Sequence, residues 1–399
     1  MTPAVEYEAL TAAAAAWAPT SVGQFEVSGA DAHAFVNRIC TVDIARVPPG
    51  RFAHGLFLRD DATILGRVTV YRFGDVVMLL VDGAQRAELW EFIVQRKRGT
   101  VRLRDISESV AAVVVRGPAA AARIGTLLEP VPSQAGDLVT ARLAGVDVFA
   151  ARTTSDGPDG IDLYCRARDL DSLTGALGRL AIPFVSNETW ALARLEWGVA
   201  RVGIEVGTDD TPVEAALEGL VATAKGAPFP GEVALATRQR AGALKRLVGF
   251  RVPGASVPPI GAAVHVNDRL VDRVRSAAHS PRFGVIGMTA VPVGADAGGT
   301  PLVITADGTS WEGEVVRPPF VAASWGSGPT ERGARRKVSP TGPGPARDPQ
   351  KGVANRTGRR RLTSERHPAG GLCRRGPARR PQALGGAGCA PAVQTDGCR

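Results

Sequence analysis

Apolar periodicity ends at Val321. Beyond it the chain is mostly Gly, Pro, Arg, Ser and Ala, and such a segment cannot bury enough apolar area to offset the entropy of ordering it. A folded body is therefore expected in residues 1–321, and a disordered basic Arg/Gly/Pro-rich tail in 322–399. The charge divides in nearly the same place. Residues 330–399 hold 16 Lys/Arg and 4 Asp/Glu, which leaves 32 basic and 35 acidic residues for 1–329. The net charge of +9 thus belongs to the tail, and the body is mildly acidic. A polyanion-binding body is not expected. Nucleic acid could be met only through the tail, at Arg359-Arg360-Arg361, and residues 330–399 offer no Phe, Tyr or Trp for base stacking.

No run of about 18 uncharged apolar residues occurs, so no membrane-spanning helix and no membrane partner is expected. The N-terminus has no basic stretch leading into an apolar core, and Glu6 and Glu8 precede the helix-forming run Ala12–Ala16, so secretion is not expected. Cys40, Cys165, Cys373, Cys389 and Cys398 have neither the spacing of a disulfide framework nor that of a zinc site. They read as reduced thiols of a cytoplasmic protein, Cys40 and Cys165 as small apolar core residues.

The body alternates strands and helices without regular βαβ order, which argues for an α+β fold. Strand-like runs are Gln24–Val27, Val68–Tyr71, Val76–Val81 and Val110–Val115. Helical spacing marks an alanine-rich stretch from Pro118 to Leu128, then Asp169–Leu180 and Trp190–Val199, the last capped by Ser186 or Asn187. From Leu247 the pattern changes to short strands between Pro/Gly turns: Leu247–Val252, Ala263–Val266, Leu270–Val274, Val285–Thr289 and Pro301–Ile304. That is the pattern of a small β-barrel. The expected domains are 1–245, in two lobes, and 246–321, the barrel.

Familiar catalytic signatures are missing. The chain has no Gly-x-Gly-x-x-Gly opening a helix, no Walker lysine loop, no His-Glu-x-x-His and no Gly-x-Ser-x-Gly. Three groups of residues go further. Arg194-Leu-Glu196-Trp-Gly198 leads into Val202-Gly203-Ile-Glu205 and Thr211-Pro212-Val-Glu214, followed by Lys225-Gly226-Ala-Pro-Phe229-Pro-Gly231-Glu232. Val274-Arg-Ser276-Ala-Ala-His-Ser280-Pro281 precedes Val285-Ile-Gly287, and the body closes on Pro318-Pro319-Phe320-Val321. Asp156-Gly157-Pro158-Asp159-Gly160 leads to Tyr164, and Phe25-Glu-Val-Ser-Gly29 to Phe35. In this order they resemble the folate-binding aminomethyltransferase family, typified by the T-protein of the glycine cleavage system, over about residues 5–321.

The resemblance implies a three-lobed cloverleaf around a central channel for tetrahydrofolate, with the barrel as third lobe. It implies one-carbon transfer to tetrahydrofolate from an amine-type donor, either a lipoyl carrier protein or a small amine. The family's pterin-binding carboxylate maps to Glu196 in the Arg194-Leu-Glu196 segment, and one carboxylate can accept adjacent pterin N–H donors in pairs. Unpaired, it should face a wet cavity. Lys225 stands at the family's basic residue, suited to the folate glutamyl tail, and Asp159 falls in the segment ending at Tyr164. The family's catalytic aspartate, however, maps to Leu89, which can neither relay a proton nor stabilise charge. Asp82, at the end of the preceding strand, is the candidate acid/base in its stead. Where the family tends to carry acidic residues this chain has Leu65-Gly66-Arg67. A related folate-binding branch maintains iron–sulfur enzymes through Lys-Gly-Cys-Tyr-x-Gly-Gln-Glu. Lys225, Gly226 and Glu232 match it, but Ala227 and Pro228 replace its cysteine and tyrosine. A non-catalytic folate-binding accessory protein is the alternative.

Overall fold

A computed structural model describes residues 1–321 apart from Ser155, Asp156 and Thr223. The expected tail, 322–399, and Asp156 lie outside the described residues.

The chain opens with α1 (Pro3–Ala12) and β1 (Ala15–Trp17). Next come β2 (Val22–Ser28), α2 (Ala32–Ile39), β3 (Arg51–Leu58), β4 (Ile64–Phe73), β5 (Val76–Asp82), α3 (Arg86–Gln95) and β6 (Arg102–Asp105). A second group holds β7 (Val110–Arg116), α4 (Ala120–Ile124), β8 (Leu128–Glu129), β9 (Leu138–Leu143), β10 (Val146–Thr153), β11 (Gly160–Arg166) and α5 (Leu170–Arg179). α6 (Asn187–Glu196) and α7 (Glu232–Ala241) lead to β12 (Lys245–Val252), β13 (Ala263–Val266) and β14 (Arg269–Arg273). The body ends with β15 (Ser276–Ser280), β16 (Gly284–Pro292), β17 (Pro301–Ala306) and β18 (Thr309–Val316).

The fold is α+β, with three lobes that each own an antiparallel sheet. The orders are β3-β4-β5-β2-β6, β1-β7-β11-β10-β9-β8 and β14-β13-β17-β18-β12-β16-β15, the last a half-barrel. Each sheet buries one apolar face. Phe25, Phe57 and Leu79 meet Phe35, Leu89 and Ile93 of α2 and α3 in the first lobe. Val113, Val115, Ile161 and Leu163 meet Leu173 and Leu177 of α5 in the second. Phe250, Val264, Val285, Ile304 and Val315 fill the half-barrel. A fourth cluster, including Leu58, Leu195, Phe229 and Met288, joins the first lobe to α6, α7 and the barrel.

Local expectation and structure part company where tertiary pairing decides. The alanine run 12–16 does not stay helical. Ala15, Ala16 and Trp17 pair with Arg116, Val115 and Val114 of β7, and sheet burial outweighs alanine's helix preference, which is under about 1 kcal/mol per residue. The alanine-rich helix expected up to Leu128 shrinks to the five residues of α4. α6 starts at its Ser186 cap, whose Oγ accepts the Thr189 N–H at 3.3 Å, and stops at Glu196 before Gly198, which has φ +72°. Strands β12 and β15 crowd Gly287 of β16 between them: a Cβ there would sit 2.3 Å from Phe250 Cζ and 2.3 Å from the Ser276 carbonyl oxygen. Gly287→Ala is expected to destabilise by about 2–3 kcal/mol, read as a lower urea midpoint at unchanged slope.

Candidate functional site

The first two sheets and α6 enclose a cavity of about 670 Å³. Antiparallel pairing sets its polar walls. β3 and β4 place His54 opposite Thr69, with Nδ1 and Oγ1 3.0 Å apart. β11 contributes Tyr164, whose hydroxyl lies 2.7 Å from that of Tyr71, and Asp162, which accepts from Arg116 of β7 at 2.6 Å.

α6 supplies the remaining wall. Its Asn187, Trp190, Ala191 and Arg194 all line the cavity, at the i, i+3, i+4, i+7 spacing of one helical stripe. Trp190 stacks on Trp17 with ring centroids 4.7 Å apart and planes 9° from parallel. Asn187 fixes Trp17 by accepting its indole N–H at 2.9 Å. Arg194 makes a two-pronged pair with fully buried Glu205, at 3.0 and 2.9 Å. The returning chain adds Arg201, whose Nε and Nη2 donate to Asp82 Oδ2 at 2.9 and 2.5 Å, while Gln85 Nε2 donates to the Val202 carbonyl at 3.1 Å. The result is a slot with flat indole and phenol walls and a rim of guanidinium and carboxylate groups. Such a lining suits a planar, polar-edged ligand that also carries negative charge.

Residues 2–225 match the family model of the GCVT N-terminal domain, and residues 245–322 that of the glycine cleavage T-protein C-terminal barrel domain. The chain belongs to the glycine cleavage T-protein family. An aminomethyltransferase of Anoxybacillus flavithermus is 29% identical over 333 residues, spanning 79% of this chain and 89% of that one. A probable aminomethyltransferase of Natronomonas pharaonis is 29% identical over 325 residues, with the same coverage of 79% and 89%. The crystal structure of glycine cleavage system aminomethyltransferase T from Bartonella henselae shares the fold, with a TM-score of 0.74 at 22% identity over 80% of this chain and 89% of that one.

Within this T-protein-family fold the residues singled out from sequence scatter. Asp82 and Arg194 reach the cavity. Both oxygens of Asp82 are engaged, Oδ2 by Arg201 and Oδ1 by the Ala84 N–H at 3.0 Å. Glu196 does not face the wet cavity expected of it. It is fully buried outside the lining, accepting from Tyr7 at 2.8 and 3.0 Å and from Ser280 at 2.5 Å. Burial pushes its carboxyl above the usual range, and the two hydroxyls pull it back in part. Lys225 is also spent inside, donating to the carbonyls of Cys40 at 2.6 Å and Val42 at 3.1 Å. Its ammonium sits 4.8 Å from the Phe229 ring centroid, and burial lowers its pKa. The Lys225 ammonium is thus held by backbone carbonyls, outside the cavity lining. Asp159 holds Arg152 through bonds of 3.0 and 2.7 Å, away from the lining.

Leu89 is fully buried in the first-lobe core, and the neighbouring Glu88 turns outward to Arg59 at 2.9 Å. None of the barrel residues contributes to the lining, so the cavity belongs to the first two lobes, α6 and the segment after it. Sequence reasoning passed over Trp17, Trp190, His54, Arg116 and Arg201. The one available signal was that three of only six tryptophans, 17, 190 and 197, fall near α6 and the N-terminus. Among the described residues no helix is long and apolar enough to cross a membrane.

Proposed function

We propose that the chain binds tetrahydrofolate in this cavity and takes part in one-carbon transfer from an amine-type donor. The observation that carries the reading is the cavity itself, about 670 Å³ with an indole stack on one wall and guanidinium groups on the others. The residues fit a pteridine ring with an anionic tail: Trp190 and Tyr164 for the ring faces, Arg194 and Arg201 for carboxylate oxygens. Bound tetrahydrofolate supplies the nucleophilic nitrogens that accept the one-carbon unit. The chain's own part is to orient it, exclude water and manage one proton, for which Asp82 Oδ2 is the carboxylate oxygen on the wall. Use of that oxygen requires Arg201 to turn from Asp82 to the ligand.

The experiment has two readouts. Tetrahydrofolate is expected to quench tryptophan emission, and Trp190→Ala to weaken binding about tenfold or more, the scale of an aromatic stacking contact. Equal affinity in both proteins removes the indole wall from the site. Turnover is measured separately, with an aminomethylated lipoyl carrier protein and with small N-methyl amines as donors. Leu89 and the doubly engaged Asp82 favour a second reading, a folate-binding accessory protein, which predicts quenching without turnover on either donor.

A further inference from the structure

α6 shows two different faces. Asn187, Trp190, Ala191 and Arg194 line the cavity, whereas Thr189, Ala193 and Glu196 are buried away from it. At 100° per residue the centres of these two stripes lie roughly 140° apart around the helix. The second stripe meets α1, and two adjacent residues of α1 hold opposite ends of α6. Glu6 Oε2 accepts the Ser186 N–H at 2.8 Å, the Ser186 hydroxyl at 2.7 Å and the Thr189 hydroxyl at 2.8 Å. A carboxylate there satisfies one free N–H of the helix start and meets the positive end of the helix. Tyr7 donates its hydroxyl to Glu196 at the other end, about 15 Å along a ten-residue helix. Ser280 of β15 donates to the same carboxyl, and the Glu196 carbonyl accepts the Phe320 N–H at 2.9 Å. One residue therefore joins the N-terminal helix, the barrel and the end of the body.

We propose that Glu196 is a positioning residue rather than a pterin ligand: with Glu6 and Tyr7 it braces α6 at both ends and so sets the stripe of Asn187, Trp190 and Arg194 on the cavity wall. The inference rests on the folate reading of the cavity for its ligand but not for its geometry. The test uses the full chain, with Tyr7→Phe, Glu6→Gln, Glu196→Gln and the Tyr7→Phe/Glu196→Gln pair. Tetrahydrofolate affinity is titrated by tryptophan quenching, and the near-ultraviolet circular dichroism of the stacked indoles is recorded without ligand. Tyr7→Phe leaves the Glu196 carboxyl in place, so it separates the two roles and serves even where Glu196→Gln fails to fold.

Bracing predicts that Tyr7→Phe weakens binding about tenfold, the worth of one ordering hydrogen bond. It also predicts an altered indole spectrum, and a double variant no weaker than the worse single one. Wild-type affinity in Tyr7→Phe, with binding lost in Glu196→Gln, overturns it in favour of direct contact. Lower melting temperatures with affinity and spectrum unchanged overturn it as well, leaving a brace that sets no wall. If the wild-type protein binds no tetrahydrofolate, the functional reading fails, and the ligand-free spectrum alone decides the inference: a change in Tyr7→Phe supports it and none overturns it.

Discussion

Leu89→Asp, which installs the aspartate that the family resemblance implies at this position, is expected to destabilise the protein by about 4 kcal/mol or more and to add no turnover. Leu89 is fully buried among Phe25, Phe57 and Ile93 in the first-lobe core. It also fits the opposing strand: a Cβ on Gly66 would lie 2.8 Å from Leu89 Cδ1, so β4 leaves room for this leucine by carrying glycine there. Deleting a core leucine costs about 2–5 kcal/mol, and a carboxylate left in that apolar site without a partner adds to the loss or takes up a proton. Urea unfolding measures the stability and single-turnover assays the chemistry. A variant as stable as wild type would show that position 89 opens onto the cavity. Turnover raised on top of that would assign the acid/base role to position 89 in place of Asp82.

Parts of the first sheet and most of the barrel were legible because strands and turns leave a local record, whereas of the second sheet only β7 reads as a strand. β5, β7 and β12 match runs of Val and Leu between Gly or Asp residues, and the change to Pro/Gly-punctuated strands near residue 247 marks the start of the barrel. β1 was not legible, since two residues of an alanine run and the following Trp17 become a strand only by lying beside β7. β15 and β18, Ser276–Ser280 and Thr309–Val316, carry too few β-branched residues in sequence to stand out, and the sheet around them supplies the register. The site was legible as a set of segments and less so as individual side chains. Arg194 and Glu205 stand 11 residues apart, and the fold joins them as an ion pair. Glu196 and Lys225 carry the right charges at matching places, yet charge in a sequence does not reveal whether hydroxyls or carbonyls already satisfy it. Trp17 and Trp190 are 173 positions apart, and only the packing of β1 against α6 makes them one surface.

The second large effect concerns that ion pair. Glu205→Ala is expected to cost about 3–5 kcal/mol, the range for removing one partner of a buried salt bridge. The Glu205 carboxylate is fully buried and accepts both Arg194 prongs and the Arg201 backbone N–H at 2.9 Å, while its carbonyl takes Arg275 Nη1 at 2.7 Å. Among the described residues Arg194 Nε already has no hydrogen-bond partner, and a guanidinium stripped of Glu205 keeps only the Val199 carbonyl of them, at 2.9 Å. An uncompensated charge, more than the missing bonds, sets the size of the loss. Removing the charge as well therefore recovers stability: Arg194→Met/Glu205→Leu is expected to regain most of what Glu205→Ala loses, because the pair's desolvation cost goes with it. The same double variant deletes a cation from the cavity wall and is expected to bind tetrahydrofolate weakly while staying folded. Denaturant titration of the three proteins gives the free energies, and quenching gives the affinities. A loss below about 1 kcal/mol in Glu205→Ala would mean that water reaches the pair, and the polar floor of the cavity would then be far less rigid than its bonds imply.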